Sequence, residues 1–191
     1  MDDNRKSALS SLWVDGQPSQ IKGDQLAVQE LPNRLKMILR GNNTEAWRKT
    51  IETSTRSPLP PGPDSPTADD PCAIMLGPDE WLIASTARQA LKYELDAILK
   101  NTHASVFDVS SAWVALLLSG NNARALLARG CNQDLHPAQF KPGYFCSTSI
   151  IRIPVFIYRH VDEDKFDLYV DRSLAMDLWL WLRDTTKDMT Q

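Results

Sequence analysis

The chain has 191 residues, 42% of them hydrophobic, enough to bury a sizeable core as one larger domain or two small ones. Its 21 Lys and Arg against 24 Asp and Glu leave a formal net charge of −3, so there is no basic excess to attract phosphate backbones or anionic lipid. The apolar run Trp113 to Leu118 falls far short of the roughly 20 residues of a spanning helix, and the opening MDDNRKSALSS lacks the apolar stretch of a secretory signal. These features point to a cytoplasmic protein without nucleic-acid or membrane partners.

Residues 1–22 hold Asp, Ser, Gln and a single Trp13 without a sustained period and read as a flexible N-terminal arm. Gln25 to Leu31 and Arg34 to Leu39 alternate polar and apolar side chains across Pro32 and Asn33, which predicts a β-hairpin. A helix follows, with Asn42 as its N-cap, Glu45 as the capping-box partner, and Trp47 and Ile51 on one face. Residues 56–71, RSPLPPGPDSPTADDP, contain six of the twelve prolines and read as a linker, since proline lacks an N–H donor and fixes φ. Pro58, Pro60, Pro61 and Pro63 also suit a polyproline II ligand, but Arg56 is the sole basic residue beside them, so a spacer is the better reading.

Ala73 to Leu76 and Trp81 to Ser85 predict a second hairpin about the Gly77-Pro78-Asp79-Glu80 turn, and Leu91, Leu95 and Ile98 give Thr86 to Lys100 an amphipathic helical stripe. Strands over Ser105 to Val109 and Trp113 to Ser119 then precede Gly120-Asn121-Asn122 and a helix marked by Ala123, Leu126, Leu127 and Cys131. Because Arg40-Gly41-Asn42-Asn43 also ends a strand and opens a helix, an internal duplication is suggested. Past the loop Asn132 to Pro142, β runs over Ser147 to Tyr158 and Phe166 to Val170 flank Asp162-Glu163-Asp164-Lys165, and Pro154 implies an edge position or a bulge. The predicted architecture is α+β: two ββα-type, ferredoxin-like halves with mixed or antiparallel sheets, residues 23–103 (containing the linker 56–71) and 104–191.

The last helix, Ser173 to about Lys187, carries Leu174, Leu178, Trp181 and Leu182 on one stripe but Met176, Trp179 and Leu180 outside it. One core does not cover all of that surface, so a partner subunit, the other half or the N-terminal arm must cover Trp179 or Leu180.

Chemistry is sparsely marked. Cys72, Cys131 and Cys146 are widely spaced and odd in number, which fits neither a disulfide framework nor a CxxC motif. Cys131, Asp134 and His136 supply the residue types of a thiolate nucleophile with its base and orienting acid, yet triads assemble through the fold and Cys131 sits where a helix stripe would bury it. No dinucleotide, phosphate-loop, nucleophile-elbow or zincin motif occurs. Asp69-Asp70, Asp79-Glu80 and Asp162-Glu163-Asp164 lie in turns where solvated carboxylates are ordinary, and His103, His136 and His160 are scattered. Lys165 to Val170 alternates aromatics as RNA-stacking strands do, but follows an acidic turn and lacks a glycine. No catalytic, cofactor-binding or metal-binding residue is therefore assigned.

Leu76-Gly77-Pro78-Asp79-Glu80-Trp81-Leu82, Asp108-Val109-Ser110-Ser111, Leu118-Ser119-Gly120, Leu126 to Cys131 followed by Asp134-Leu135-His136-Pro137 and Phe140, and Val170-Asp171-Arg172-Ser173 occur in this order along the chain. In that order and spacing the chain resembles the gamma subunit of heterotetrameric sarcosine oxidase, from about Leu31 to Leu182. The resemblance implies a fold like that of folate-binding aminomethyltransferases such as the glycine cleavage T-protein. It implies an accessory, non-catalytic role in an oxidoreductase complex that converts sarcosine to glycine, passes a one-carbon unit to tetrahydrofolate and produces hydrogen peroxide. FAD, FMN, NAD and tetrahydrofolate are then expected in partner alpha, beta and delta subunits, and none in this chain. The rival expectation is a free-standing, tetrahydrofolate-binding aminomethyltransferase-like protein. The Asp171-Arg172-Ser173 segment departs from the Asn-Ala pattern of such enzymes, which points away from folate binding here.

Overall fold

The computed structural model describes residues 6–189 except 24, 32, 33, 63, 64, 66, 87, 101, 162 and 163, and not the side chains of 88–90. The expectations for the first five residues of the arm, the Pro32-Asn33 turn, Pro63, Asp162 and Glu163 fall outside the described residues. In chain order the elements are β1 (Gln20–Gly23), β2 (Leu26–Glu30), β3 (Leu35–Arg40), α1 (Glu45–Thr55), β4 (Cys72–Gly77), β5 (Glu80–Ser85), α2 (Arg88–Leu99), β6 (Ser105–Asp108), β7 (Trp113–Ser119), α3 (Ala123–Ala128), β8 (Phe145–Ile150), β9 (Ile153–Arg159), β10 (Lys165–Asp171) and α4 (Ala175–Met189). The chain divides into two compact units, one of Met1–Pro32, Ser111–Pro142 and Cys146–Gln191, the other of Asn33–Ser110 and Gly143–Phe145.

The second of these units holds the four-stranded sheet β4-β5-β3-β6, antiparallel at every pairing. Strand alternation sends Leu35, Met37 and Leu39 of β3 to one face with Trp81 and Ile83 of β5, where they bury against Ile51 of α1 and Leu91, Leu95 and Leu99 of α2. The expected β4–β5 hairpin forms, with Asp79 in the left-handed turn conformation at φ 60. Helix α1 begins differently from the expectation: Thr44 is the N-cap, its Oγ1 accepting from the Trp47 N–H at 3.4 Å, while Asn42 Oδ1 accepts the Thr44 hydroxyl. A threonine directly before the first turn reaches its N–H groups; Asn42, two residues earlier, orients the capping hydroxyl instead.

The first unit holds the six-stranded antiparallel sheet β1-β2-β7-β10-β9-β8. Its inner strand β10, flanked by β7 and β9, is buried at every residue from Phe166 to Val170. Helix α4 buries Ala175, Leu178, Trp179 and Leu182. At the turn into α3, Gly120 has φ 105, and a Cβ there would lie 2.4 Å from the Gln25 carbonyl oxygen, so only glycine fits. Asn122 begins α3 without capping it through its side chain.

Several expectations give way. β2 and β3 do not form a hairpin: β2 pairs with β1 and β7, and β3 with β5 and β6. A tight primed turn needs φ above zero at its first position, which proline cannot adopt. The compact units accordingly divide the chain elsewhere than between residues 103 and 104, since β1 and β2 belong with β7 to β10 and β6 belongs with β3 to β5. The N-terminal residues are not a free arm, because Leu9 is fully buried and β1 pairs with β2. Nor is 56–71 a detached spacer: Leu59 enters the core beside Trp81, whose Nε1 donates to the Pro60 carbonyl at 2.8 Å. The run Ser147 to Tyr158 is two strands, turned at Ile151 and Arg152. Pro154 sits in an inner strand, tolerated because it precedes Val155, the first residue of β9 that pairs with β10. Cys131 lies past the end of α3, in a β-bridge to Ile150.

Candidate functional site

The six-stranded unit carries a groove of about 580 Å³ lined by Leu12, Val14, Gln17 to Ile21, Trp179 and Arg183. Trp179 is only 3% exposed and lines this groove together with the N-terminal residues. What holds those residues is Glu30, at the end of β2 and 1% exposed. Its Oε1 accepts the Ser7 hydroxyl and its Oε2 accepts Trp13 Nε1–H at 2.6 Å. A buried carboxylate is tolerated only when such donors replace its water, and these two do so while fastening the segment. Arg172 Nη2 adds a bond to the Lys6 carbonyl at 2.6 Å.

The motif-bearing loop Asn132 to Pro142 is organised by two arginines. Arg124 of α3 donates to the Leu135 carbonyl, and Arg159 of β9 to the Phe140 carbonyl at 2.6 Å. Both also engage Asp164, Arg159 at 3.4 Å. Arg124 lies 5.1 Å above the Phe166 ring, which stacks on Phe140 at 6.4 Å. Burial and the neighbouring Arg124 charge lower the Arg159 pKa. Asp164, expected to be merely solvated, thus pairs with the two arginines, one on β9 and one on α3, that hold the loop.

No described contact joins Cys131, Asp134 and His136. Cys131 Sγ lies 3.7 Å from Thr148 Oγ1 and accepts the Gln133 N–H at 3.4 Å. Asp134 Oδ1 accepts the His136 N–H at 2.8 Å, and His136 Nδ1 accepts the Ala138 N–H at 3.3 Å. All three serve the loop's own turns. The Cys146 thiol is pushed up to about 12 by burial and, after that, by the neighbouring Cys131, so it stays protonated at neutral pH and is a poor nucleophile.

Of the remaining carboxylates, Asp70 accepts from the N–H and hydroxyl of Thr86, Asp79 from the Asn43 N–H at 2.8 Å, and Glu80 pairs with Arg40 at 3.2 Å. A cluster that sequence reasoning missed is His160, Asp167 and Tyr169. Fully buried Asp167 meets His160 Nε2 at 3.0 Å through Oδ1 and accepts Tyr169 Oη–H at 3.1 Å through Oδ2. The available signal was an acid inside an otherwise apolar strand run, Phe166 to Val170. Among the described residues no group of three His, Cys, Asp or Glu is placed to hold a metal ion.

Folate is the cofactor that the fold resemblance raises, and its pterin amide edge calls for a carboxylate in a cleft. The two most buried carboxylates, Glu30 and Asp167, have both oxygens committed to protein groups, and no carboxylate lines the groove. Neither these two acids nor this groove offers folate a free carboxylate, and no chemical step is derived through it.

Residues 67–188, well over half the chain, match the sarcosine oxidase, gamma subunit family. The sarcosine oxidase subunit gamma of Corynebacterium sp. (strain U-96) is 25% identical over 189 residues, 97% of this chain and 92% of that one. A chain of the heterotetrameric sarcosine oxidase from Corynebacterium sp. U-96, solved in complex with pyrrole 2-carboxylate, superposes with a TM-score of 0.85 at 25% identity, covering 98% of this chain and 97% of that chain. Aminomethyltransferase T of the glycine cleavage system from Bartonella henselae superposes with a TM-score of 0.64 at 14% identity over 94% of this chain and 57% of that one, a likeness of fold. The α+β, aminomethyltransferase-like architecture is thereby borne out, and the chain belongs to the sarcosine oxidase gamma subunit family.

Proposed function

We propose that this chain is the gamma subunit of a heterotetrameric sarcosine oxidase and acts as an accessory chain that completes the assembly without an active site of its own. The observation that carries this reading is the superposition along nearly the full length of both chains on one subunit of such an enzyme. The local chemistry agrees with it. The buried acids are committed to holding strands and segments, and the loop that bears the family motifs is organised by Arg124, Arg159 and Asp164 as a packed structure. In this reading FAD, FMN, NAD and tetrahydrofolate reside in alpha, beta and delta partners, and the complex demethylates sarcosine oxidatively in the cytoplasm. A free-standing folate enzyme requires a cleft with an available acid, and no described feature favours it.

Co-expression with candidate alpha, beta and delta subunits followed by size-exclusion chromatography tests the proposal. Co-elution as a stoichiometric complex is expected. Elution of this chain alone while the others assemble would overturn it.

A further inference from the structure

Ile151 and Arg152, which turn β8 into β9, have φ 46 and φ 71, both left-handed. A two-residue loop of this kind suits Asn-Gly, and a β-branched residue with positive φ is a true outlier. The strain is held in place from one side: the Ile151 N–H donates to the Gly130 carbonyl at 2.9 Å. Gly130 in turn lies under the Trp181 ring, where a Cβ would come within 2.6 Å of Cζ2 and 3.1 Å of Ile151 Cγ2. Yet Ile151 remains 41% exposed and Trp181 half-buried. The fold does not need an apolar side chain at this tip; a polar turn residue would relieve the backbone and face water equally well. Backbone strain of this sort persists only where surrounding structure holds it, and it clusters at functional sites.

The charges around the tip say what kind of partner fits. Arg129, next to Gly130, and Arg152 are exposed, and their guanidinium groups make no ion pair among the described residues. Elsewhere Arg40, Arg124 and Arg183 each pair with a carboxylate. An apolar knob with two free arginines beside it complements an apolar recess edged by carboxylates.

We propose that Ile151, with Trp181, Arg129 and Arg152 around it, is a face by which this chain docks on a partner subunit presenting such an acidic-edged recess. The proposal rests on the gamma-subunit reading and names the surface that reading leaves open.

The test uses the full chain, co-expressed with the alpha, beta and delta subunits, and two variants. The paired change Ile151→Asn and Arg152→Gly installs favoured turn residues, so the isolated chain melts at a higher temperature while its affinity for the other subunits falls by about tenfold or more. Arg129→Glu leaves the melting temperature unchanged, weakens association and flattens its salt dependence. Wild-type affinity in both variants would overturn the docking face alone, as would a double variant whose melting temperature falls along with its affinity. Failure of the wild-type chain to assemble would overturn the gamma-subunit reading and the docking face with it.

Discussion

Between Ser7 and Ser19 the chain makes one short 3-10 turn and is fastened to its sheet through the Glu30 carboxylate, whereas from Ser57 to Pro71, without helix or strand among the described residues, it is held by what it buries itself. The first segment donates an indole N–H and a hydroxyl to an acid on β2. The second inserts Leu59 into a hydrophobic core, lends the Pro60 carbonyl to Trp81, and receives the Glu52 carboxylate on the Leu59 N–H at 2.9 Å. Irregular backbone is therefore no guide to looseness. The first region centres its side-chain bonds on one buried carboxylate of β2 and the second centres on the buried Leu59, so they should break in different ways.

The largest effect is expected in the proline-rich segment. Leu59→Ala removes a side chain 2% exposed from the cluster around Trp81 and Ile51, and should destabilise the chain by about 3 kcal/mol in urea denaturation. Glu30→Ala comes next: Trp13 and Ser7 lose their acceptor, at a cost of about 2 kcal/mol. Its signature is local. Limited proteolysis should open new cuts between Ser7 and Gln17, which Leu59→Ala leaves closed. If both variants expose the same sites, the two segments are not independently anchored. Trp81→Phe keeps most of the packing but strands the Pro60 carbonyl, and a loss of about 1 kcal/mol is expected by thermal melting.

Parts of this fold are legible in the sequence alone. Leu76-Gly77-Pro78-Asp79-Glu80-Trp81 reads as a hairpin because Pro78 and Asp79 have turn chemistry written in their own backbones. The stripe of α2 reads because Leu91 and Leu95 face a single core. Glu30 did not read as an anchor, since its donors stand 23 and 17 residues away and a lone acid in a strand looks like the solvent-facing half of an alternation. Leu59 was hidden by the prolines around it, which rule out regular structure but say nothing about burial. The Ile151-Arg152 turn was invisible because its residues are the ones such turns avoid. The family motifs were legible as a pattern, while their physical content, Arg124 and Arg159 holding the carbonyls of Leu135 and Phe140, joins residues far apart in sequence.

The smallest effect concerns the outer end of the N-terminal segment. Asp171 Oδ1 accepts the Ser173 hydroxyl at 2.6 Å and the Ser173 N–H at 2.8 Å, and these bonds hold its carboxyl below the ordinary value of 3.8, the hydroxyl contributing most. The turn so formed presents Arg172, whose Nη2 donates to the Lys6 carbonyl. A carboxyl with a depressed folded pKa contributes stability that is full above its unfolded value and disappears as pH falls through the folded one. Acid should therefore loosen the contact at Lys6 below the ordinary value of 3.8, while the Trp81 to Pro60 bond, which contains no titrating group, contributes nothing to the profile. Asp171 is exposed and solvent screens its interactions, so the change is local fraying rather than unfolding. Following the amide signals of residues 6–9 by NMR during an acid titration, the wild-type chain should show a transition that Asp171→Asn lacks. Superimposable profiles for the two would mean that the Ser7 and Trp13 bonds to Glu30, with the buried Leu9 between them, hold the segment without help from this turn.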